Sequence, residues 1–252
     1  MQGSRLASLL VVAALFLACT PEPTASELAA KGVANLRSAK SAHLEGTGSV
    51  ALKAQQGASF ALDFKLSGDA ELPDKARMNV QMALFGMSLN VDTIAVDGKE
   101  YAKDAVSGKW SEGRSKTSPV NSALDPLGNV DASLIHNVVE IDRPEVDGRR
   151  TRHLRYDADA IKMLEDMRKT AGTSAQSISN LQGVGELWVR IDDSQIVRQL
   201  VRVTLDVDAL AGFDFGPGAA AVGKASMEMS VDMRFSHHGE PIPQITAPPV
   251  GR

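Results

Sequence analysis

The chain of 252 residues contains one cysteine, at position 19, and aromatic residues make up only 4% of it. A lone cysteine rules out an internal disulfide framework. Few aromatics leave few large rings to fill an interior. A block of like charge is missing too: 31 acids and 27 bases are interspersed for a net −4, with no basic stripe of the kind that neutralises phosphates. Nucleic acid is therefore set aside as a partner. The signatures of common enzyme chemistry are also wanting. No G-x-S-x-G elbow exposes a serine, no Gly-rich loop cradles phosphate, and no H-E-x-x-H pair offers zinc ligands. The histidines stand at 43, 136, 153, 237 and 238. His237-His238 beside Glu240 comes nearest to a metal site, but neighbours in extended chain point to opposite faces. Asp192-Asp193 falls in a turn, where Asp serves the backbone, and His136 reads as an ordinary half-buried helix residue. The expectation is a protein that is not an enzyme and uses no cofactor and no metal.

What is present begins with 43% apolar and 23% charged residues, the composition of a folded body. The first residues, "MQGSRLASLLVVAALFLAC", place one Arg before an apolar run that ends at the cysteine, the pattern of an export signal. The run is short for a bilayer span of ~20 residues. "LFLAC" resembles the lipobox of bacterial lipoproteins, in which a small residue, here Ala18, precedes a cysteine that is acylated before cleavage. Phe16 departs from the Leu that this motif prefers. The alternative is an incidental thiol inside a signal peptide. The boundaries that follow are a signal peptide over 1–18, a membrane tether over 19–26 and one domain over 27–252. Removing 1–18 deletes Arg5 and no acid, leaving 26 bases against 31 acids, or −5. Two acyl chains on Cys19 would make anchoring stable, and the seven residues "TPEPTAS", at ~3.3 Å each, keep the body near the membrane.

Beyond the tether, Thr24 and Glu27 stand at capping-box spacing before Leu28, Val33 and Leu36, which predicts a first helix. From His43 the apolar period becomes two and stays so for about sixty residues, as in strands with one buried face. One side of successive strands carries Phe60, Leu62, Phe64 and Leu66, then Met78, Val80, Met82 and Leu84, then Met87, Leu89 and Val91. Near Asp92 and Thr93 the phase slips, as a bulge or bend would produce. Asp97-Gly98 and Asp147-Gly148 sit between strand-like pieces and predict hairpins, because both turn positions need positive φ. "DPLGNVDASLIHNVVEI" and "DADAIKMLEDMRKT" read as two further helices, and "GTSAQSISNLQG" as a mobile polar connection. Strands return with "GELWVRID", "IVRQLVRVTLDVD" and a last one carrying Met227, Met229, Val231, Met233 and Phe235 on one side. The proline-rich tail "HHGEPIPQITAPP" cannot pair centrally. No internal repeat or linker divides the chain. The fold class is therefore a single α+β domain on a curved antiparallel β-sheet.

Met, Leu, Val and Phe at period two could simply be the core side of a sheet covered by its own helices. Long bent strands, scarce aromatics and nine methionines, whose flexible side chains adapt to variable partners, point instead to a cavity. Both readings stand on these residues. The order of "SAHLEGTGSVAL", the "VDGKEYAKDAVSGKW" hairpin, the "VDGRRTRHLRYD" hairpin and the closing "FSHHGEPIPQITAPP", after a lipobox, resembles the LppX/LprG family of bacterial envelope lipoproteins over about residues 27–249. It is more distantly similar to the LolA-type carriers. The resemblance implies a strongly bent half-barrel with helices over its concave apolar face, enclosing a cavity for acyl chains. On strand phase, the sixteen residues named above from Phe60 to Val91 and from Met227 to Phe235 would line it, with Phe60, Phe64, Met78, Met82, Met87, Leu89, Met229 and Met233 foremost. The implied partners are an acyl lipid or glycolipid, the membrane through acylated Cys19, and, as a candidate, a membrane lipid transporter. The expected location is the extracytoplasmic side of the cell membrane, and the expected function is carriage of lipid across the envelope. The alternative is a structural or sensory surface lipoprotein with a packed interior. The polar stretches 106–122 and 171–183 are candidate lids.

Overall fold

The computed structural model describes residues 22–54, 59–71, 75–84, 87–112, 133, 135–159, 178–207 and 225–250. Within these, one helix precedes twelve strands. Helix α1 spans Ala25–Ser38. The strands are β1 (Ser41–Ala54), β2 (Ser59–Glu71), β3 (Lys75–Leu84), β4 (Met87–Val96), β5 (Lys99–Lys103), β6 (Trp110–Glu112), β7 (Ile135–Asp142), β8 (Glu145–Val146), β9 (Arg149–Ala158), β10 (Ile178–Arg190), β11 (Ile196–Val207) and β12 (Ala225–Ser236).

Helix α1 starts as its sequence dictates. The Glu27 N–H donates to Thr24 Oγ1 at 3.3 Å while the Thr24 N–H donates to the Glu27 carboxylate at 2.8 Å, so two orphan donors of the first turn are satisfied reciprocally. Leu28, Ala29, Gly32, Val33 and Leu36 form its buried face. Gly32 brings the helix close to the sheet: a Cβ there would lie 2.9 Å from Ile196 Cγ1. At its far end Asn35 Nδ2 donates to the carbonyls of Asp193 and Ser194, which fastens the helix to the β10–β11 turn. The residues before it are tied down as well. Buried Arg152 donates to the Pro23 carbonyl at 2.6 Å, and Arg143 bonds Glu22 at 3.0 Å. The ordered contacts thus reach back to three residues after Cys19.

The strands form one open antiparallel sheet in the order β6-β5-β4-β3-β2-β1-β12-β11-β10-β9-β7, with β8 paired to β9. The C-terminal group of strands therefore continues the N-terminal group through β1 and β12. Both Asp-Gly hairpins have the positive φ that their turns require, 53° and 71° at Asp97-Gly98 and 52° and 73° at Asp147-Gly148. Glycines at four inward positions let neighbouring side chains lie across the backbone. A Cβ on Gly48 would fall 2.0 Å from Phe64 Cζ, on Gly46 2.6 Å from Met233 Sδ, on Gly68 2.6 Å from Met78 Sδ, and on Gly185 1.9 Å from Tyr156 Cζ. Such glycine kinks under large rings are how a sheet curls towards one face.

Several expectations are corrected. The α+β class narrows to a mostly-β body, because a single helix lies on the inner face among the described residues. The helix expected over "DPLGNVDASLIHNVVEI" is strand β7 from Ile135 onward, and His136 is an exposed strand residue. The helix expected over "DADAIKMLEDMRKT" lies outside the described residues apart from its first three, Asp157 and Ala158 ending β9 and Asp159 following it. Part of the polar connection, from Ile178, is the start of β10. No slip occurs at Asp92 and Thr93: β3 and β4 pair in unbroken register from Ala76↔Ala95 to Leu84↔Met87. The apparent slip arises because β4 is apolar on both sides. Ile94 and Val96 face outward, where Tyr101 and, from the proline-rich tail, Ile242 and Ile245 cover them. Among the described residues the tail bridges the sheet edge at Trp110↔Val250, and its Gly239 N–H donates to the Ser41 carbonyl at the start of β1 at 2.8 Å.

Candidate functional site

Strand register assembles the inner face row by row. One row across eight strands reads Val91, Val80, Leu66, Gly46, Met233, Gln199, Leu187, Leu154. The next reads Leu89, Met82, Phe64, Gly48, Val231, Val201, Gly185, Tyr156. Further along the strands, Leu62, Val50, Met229 and Val203 align, and then Phe60, Leu52, Met227 and Leu205. All sixteen expected residues occupy inward register positions, twelve of them in these rows and Met78, Leu84, Met87 and Phe235 by Gly68↔Met78, Leu84↔Met87 and Leu44↔Phe235.

Burial divides the face in two. Leu62, Phe64, Leu66, Met78, Val80, Met82, Met233 and Phe235 are buried, in one cluster with Leu28, Val33 and Leu36 of α1. Phe60, Leu89, Val91, Met227, Met229 and Val231 are only half-buried. The side chains of Leu84 and Met87 lie outside the described set. The half-buried members at the middle of the sheet are neighbours: Val50 pairs Met229, Val201 pairs Val231, and Phe60 and Met227 flank Leu52. They make a contiguous apolar patch on β1, β2, β11 and β12, beside the α1-covered core and continuous with a smaller cluster of Leu52, Val203, Leu205 and Ala225. Dispersion and area burial are all that such a surface can offer a ligand.

Polar groups are sparse on this side. Gln199, 5% exposed, donates from Nε2 to the Tyr156 hydroxyl at 3.1 Å. Burial pushes the Tyr156 phenol up to about 12, against the opposing hydrogen bond from Gln199. Strand alternation gave no sign of this pair, since Gln199 occupies an inward position in "IVRQLVRV" that an apolar residue would be expected to fill. At the α1 margin, Arg143 first and Arg152 second hold the Glu140 carboxyl below its ordinary range, against partial desolvation.

The outer face is of opposite character. Glu45, Lys65, Asn79, Gln81, Asp232 and Arg234 line a polar depression of ≈ 490 Å³. Trp188 is held between His153, stacked at 4.1 Å, and the Arg198 guanidinium at 4.3 Å, and Arg198 makes a two-pronged contact with Asp232. His237 and His238 turn to separate partners, Ser236 Oγ and the Ile196 carbonyl. Asp192 and Asp193 pair with Arg149 and Arg190. Of the two lid stretches, 106–112 is a turn and strand β6, 178–183 belongs to β10, and the remainder lies outside the described residues. Residues 1–21, Cys19 among them, do so too. Among the described residues no helix is long and apolar enough to cross a membrane.

No family model matches the chain, and no curated protein matches it. Among solved structures it is similar to LprF from Mycobacterium bovis, at 14% identity and a TM-score of 0.49, over 92% of this chain and 100% of that one. A LolA superfamily protein from Nitrosomonas europaea gives 10% identity and a TM-score of 0.30, over 88% and 96%. Lipoprotein LppX from Mycobacterium tuberculosis gives 15% identity and a TM-score of 0.46, over 88% of this chain and 98% of that one.

Proposed function

We propose that this protein is a lipid-anchored envelope lipoprotein that holds the acyl chains of lipids or glycolipids against the inner face of its sheet and carries them across the cell envelope. The observation that carries this reading is the contiguous half-buried patch of Val50, Phe60, Val201, Met227, Met229 and Val231 beside the buried, α1-covered part of the same apolar face. Exposing a chain of about fifteen methylenes to water costs on the order of 12 kcal/mol at ~0.8 kcal/mol each, far more than a few hydrogen bonds return. A carrier therefore needs apolar area and no catalytic groups. The bilayer offers the chain a similar environment, so exchange between membrane and protein is near neutral and reversible. Acylation at Cys19 keeps the body at that surface, where a membrane lipid transporter could deliver or receive the cargo. Titration of the mature chain carrying Cys19→Ser with a fluorescent fatty acid tests the binding step: saturable enhancement is expected, and a flat titration overturns it. Labelling of the full chain with palmitate tests the anchor: incorporation that Cys19→Ser abolishes is expected, and equal incorporation with and without Cys19 contradicts it.

A structural or sensory lipoprotein with a packed interior is the second reading. It draws on the eight inward residues that are buried with α1. A flat titration together with a stable, monodisperse protein would favour it.

A further inference from the structure

The inner face is apolar or glycine along the two central rows from β4 to β9 except at one place, the Tyr156–Gln199 pair. Its position is informative. The Tyr156 ring lies over Gly185, with the hydroxyl oxygen 2.3 Å from where a Gly185 Cβ would stand. Gly185 pairs directly with Val201, and Val201 with Val231, both members of the half-buried patch. The hydroxyl therefore sits at the seam between the α1-covered core and the open apolar surface. Gln199 Nε2 donates to the phenolic oxygen, and it is that hydroxyl's one hydrogen-bond partner among the described residues. The phenol has a proton of its own to give. A buried donor left without an acceptor costs about as much as a lost hydrogen bond, and replacing tyrosine by phenylalanine there would remove that cost with no loss of packing.

We propose that the Tyr156 hydroxyl, held by Gln199, is the polar anchor of the site and donates a hydrogen bond to an oxygen of the bound lipid, an ester or carboxyl carbonyl at one end of its acyl chain. This rests on the acyl-binding reading above and adds to it a point at which the chain's register is fixed. Apolar area alone lets a hydrocarbon slide, whereas one directed donor in a dry surface selects a position along it. Since burial raises the phenol to about 12, the group stays protonated and remains a donor at any physiological pH. Gln199 is a positioning residue here: its amide bond to the phenolic oxygen turns the remaining proton away from itself.

The test compares methyl palmitate labelled with carbon-13 at the carbonyl with hexadecane, each displacing a fluorescent fatty acid from the mature chain carrying Cys19→Ser. In the infrared, the labelled carbonyl band of the bound ester should move to lower frequency than in a dry alkane. Tyr156→Phe should return the band and weaken the ester about three- to tenfold, the worth of one neutral hydrogen bond, while leaving hexadecane unchanged. Gln199→Leu should broaden the band by releasing the phenol. An unshifted band in the parent protein overturns the anchor by itself, even if Tyr156→Phe fails to fold, and leaves acyl binding standing. Equal losses for ester and alkane also overturn it. If the parent protein displaces the probe with neither molecule, the acyl-binding reading fails along with the anchor.

Discussion

At position 185 a single hydrogen atom stands where any other residue would place carbon inside a tyrosine ring. With the Cβ site only 1.9 Å from Tyr156 Cζ, Gly185→Ala forces the ring off its rotamer or the strands apart. The expected cost is ~1–3 kcal/mol of stability, as for other overpacked interiors, read from the midpoint of chemical denaturation. Gly98, by contrast, has nothing within 4 Å of its Cβ site and is fixed by its φ of 71° alone. His238 supplies a residue-scale prediction in pH. Desolvation, with help from Arg190, lowers its pKa below the ordinary 6.5, so the folded state prefers the neutral ring bonded to the Ile196 carbonyl. Below 6.5 the unfolded chain takes up a proton that the folded chain resists, so stability falls with pH there and levels off beneath the lowered value. His238→Gln should flatten that slope in thermal melts, and an unchanged slope would assign it elsewhere. Glu22, Glu27 and Glu140 are all lowered, so their contribution is present above the usual 4.5 and is lost only in stronger acid.

At the scale of elements, α1 was legible because its signals are local. A capping box and an apolar stripe need no knowledge of what they pack against, and Leu36→Ala, at a side chain with no exposure, should cost ~2–5 kcal/mol as the contact with the sheet is lost. Strand β7 was not legible. Ile135, Val138 and Ile141 repeat at helical spacing because the strand is irregular, with register shifts between His136 and Val139 and between Glu140 and Asp142 and a φ of 51° at Asn137. A bulge adds a residue and turns period two into period three, which a sequence cannot tell from a helix turn. Strand β4 misled for a different reason. Its outward Ile94 and Val96 are apolar because a segment some 150 residues later folds over them, a cover that no local window contains.

For the whole molecule, strand phase placed the inward residues on one face, since alternation is set by the backbone and survives any curvature. How deeply each is covered depends on α1 and on distant chain, and that was not readable. Met82 and Met229 illustrate the difference. Both point inward, but Met82 is 6% exposed and packed in the α1-side cluster, whereas Met229 lies in the half-buried patch. Met82→Trp should therefore destabilise the fold by overpacking, and Met229→Trp should leave the melting temperature nearly unchanged while reducing fatty-acid uptake. Equal uptake by parent and Met229→Trp would move the binding surface elsewhere. The opposition of faces, apolar within and charged without, holds at the middle of the sheet, where Glu45, Lys65, Asn79, Asp232 and Arg234 back the inward apolar rows, and is the basis for assigning cargo to the inner side.

The most direct test of acyl carriage is native mass spectrometry of residues 20–252, exported into a bacterial envelope behind a signal peptide that is cleaved without lipidation and purified without detergent. The account predicts a mass above that of the bare polypeptide by one or more acyl lipids, released intact on activation. A single peak at the polypeptide mass, unchanged after incubation with lipid vesicles, would contradict it.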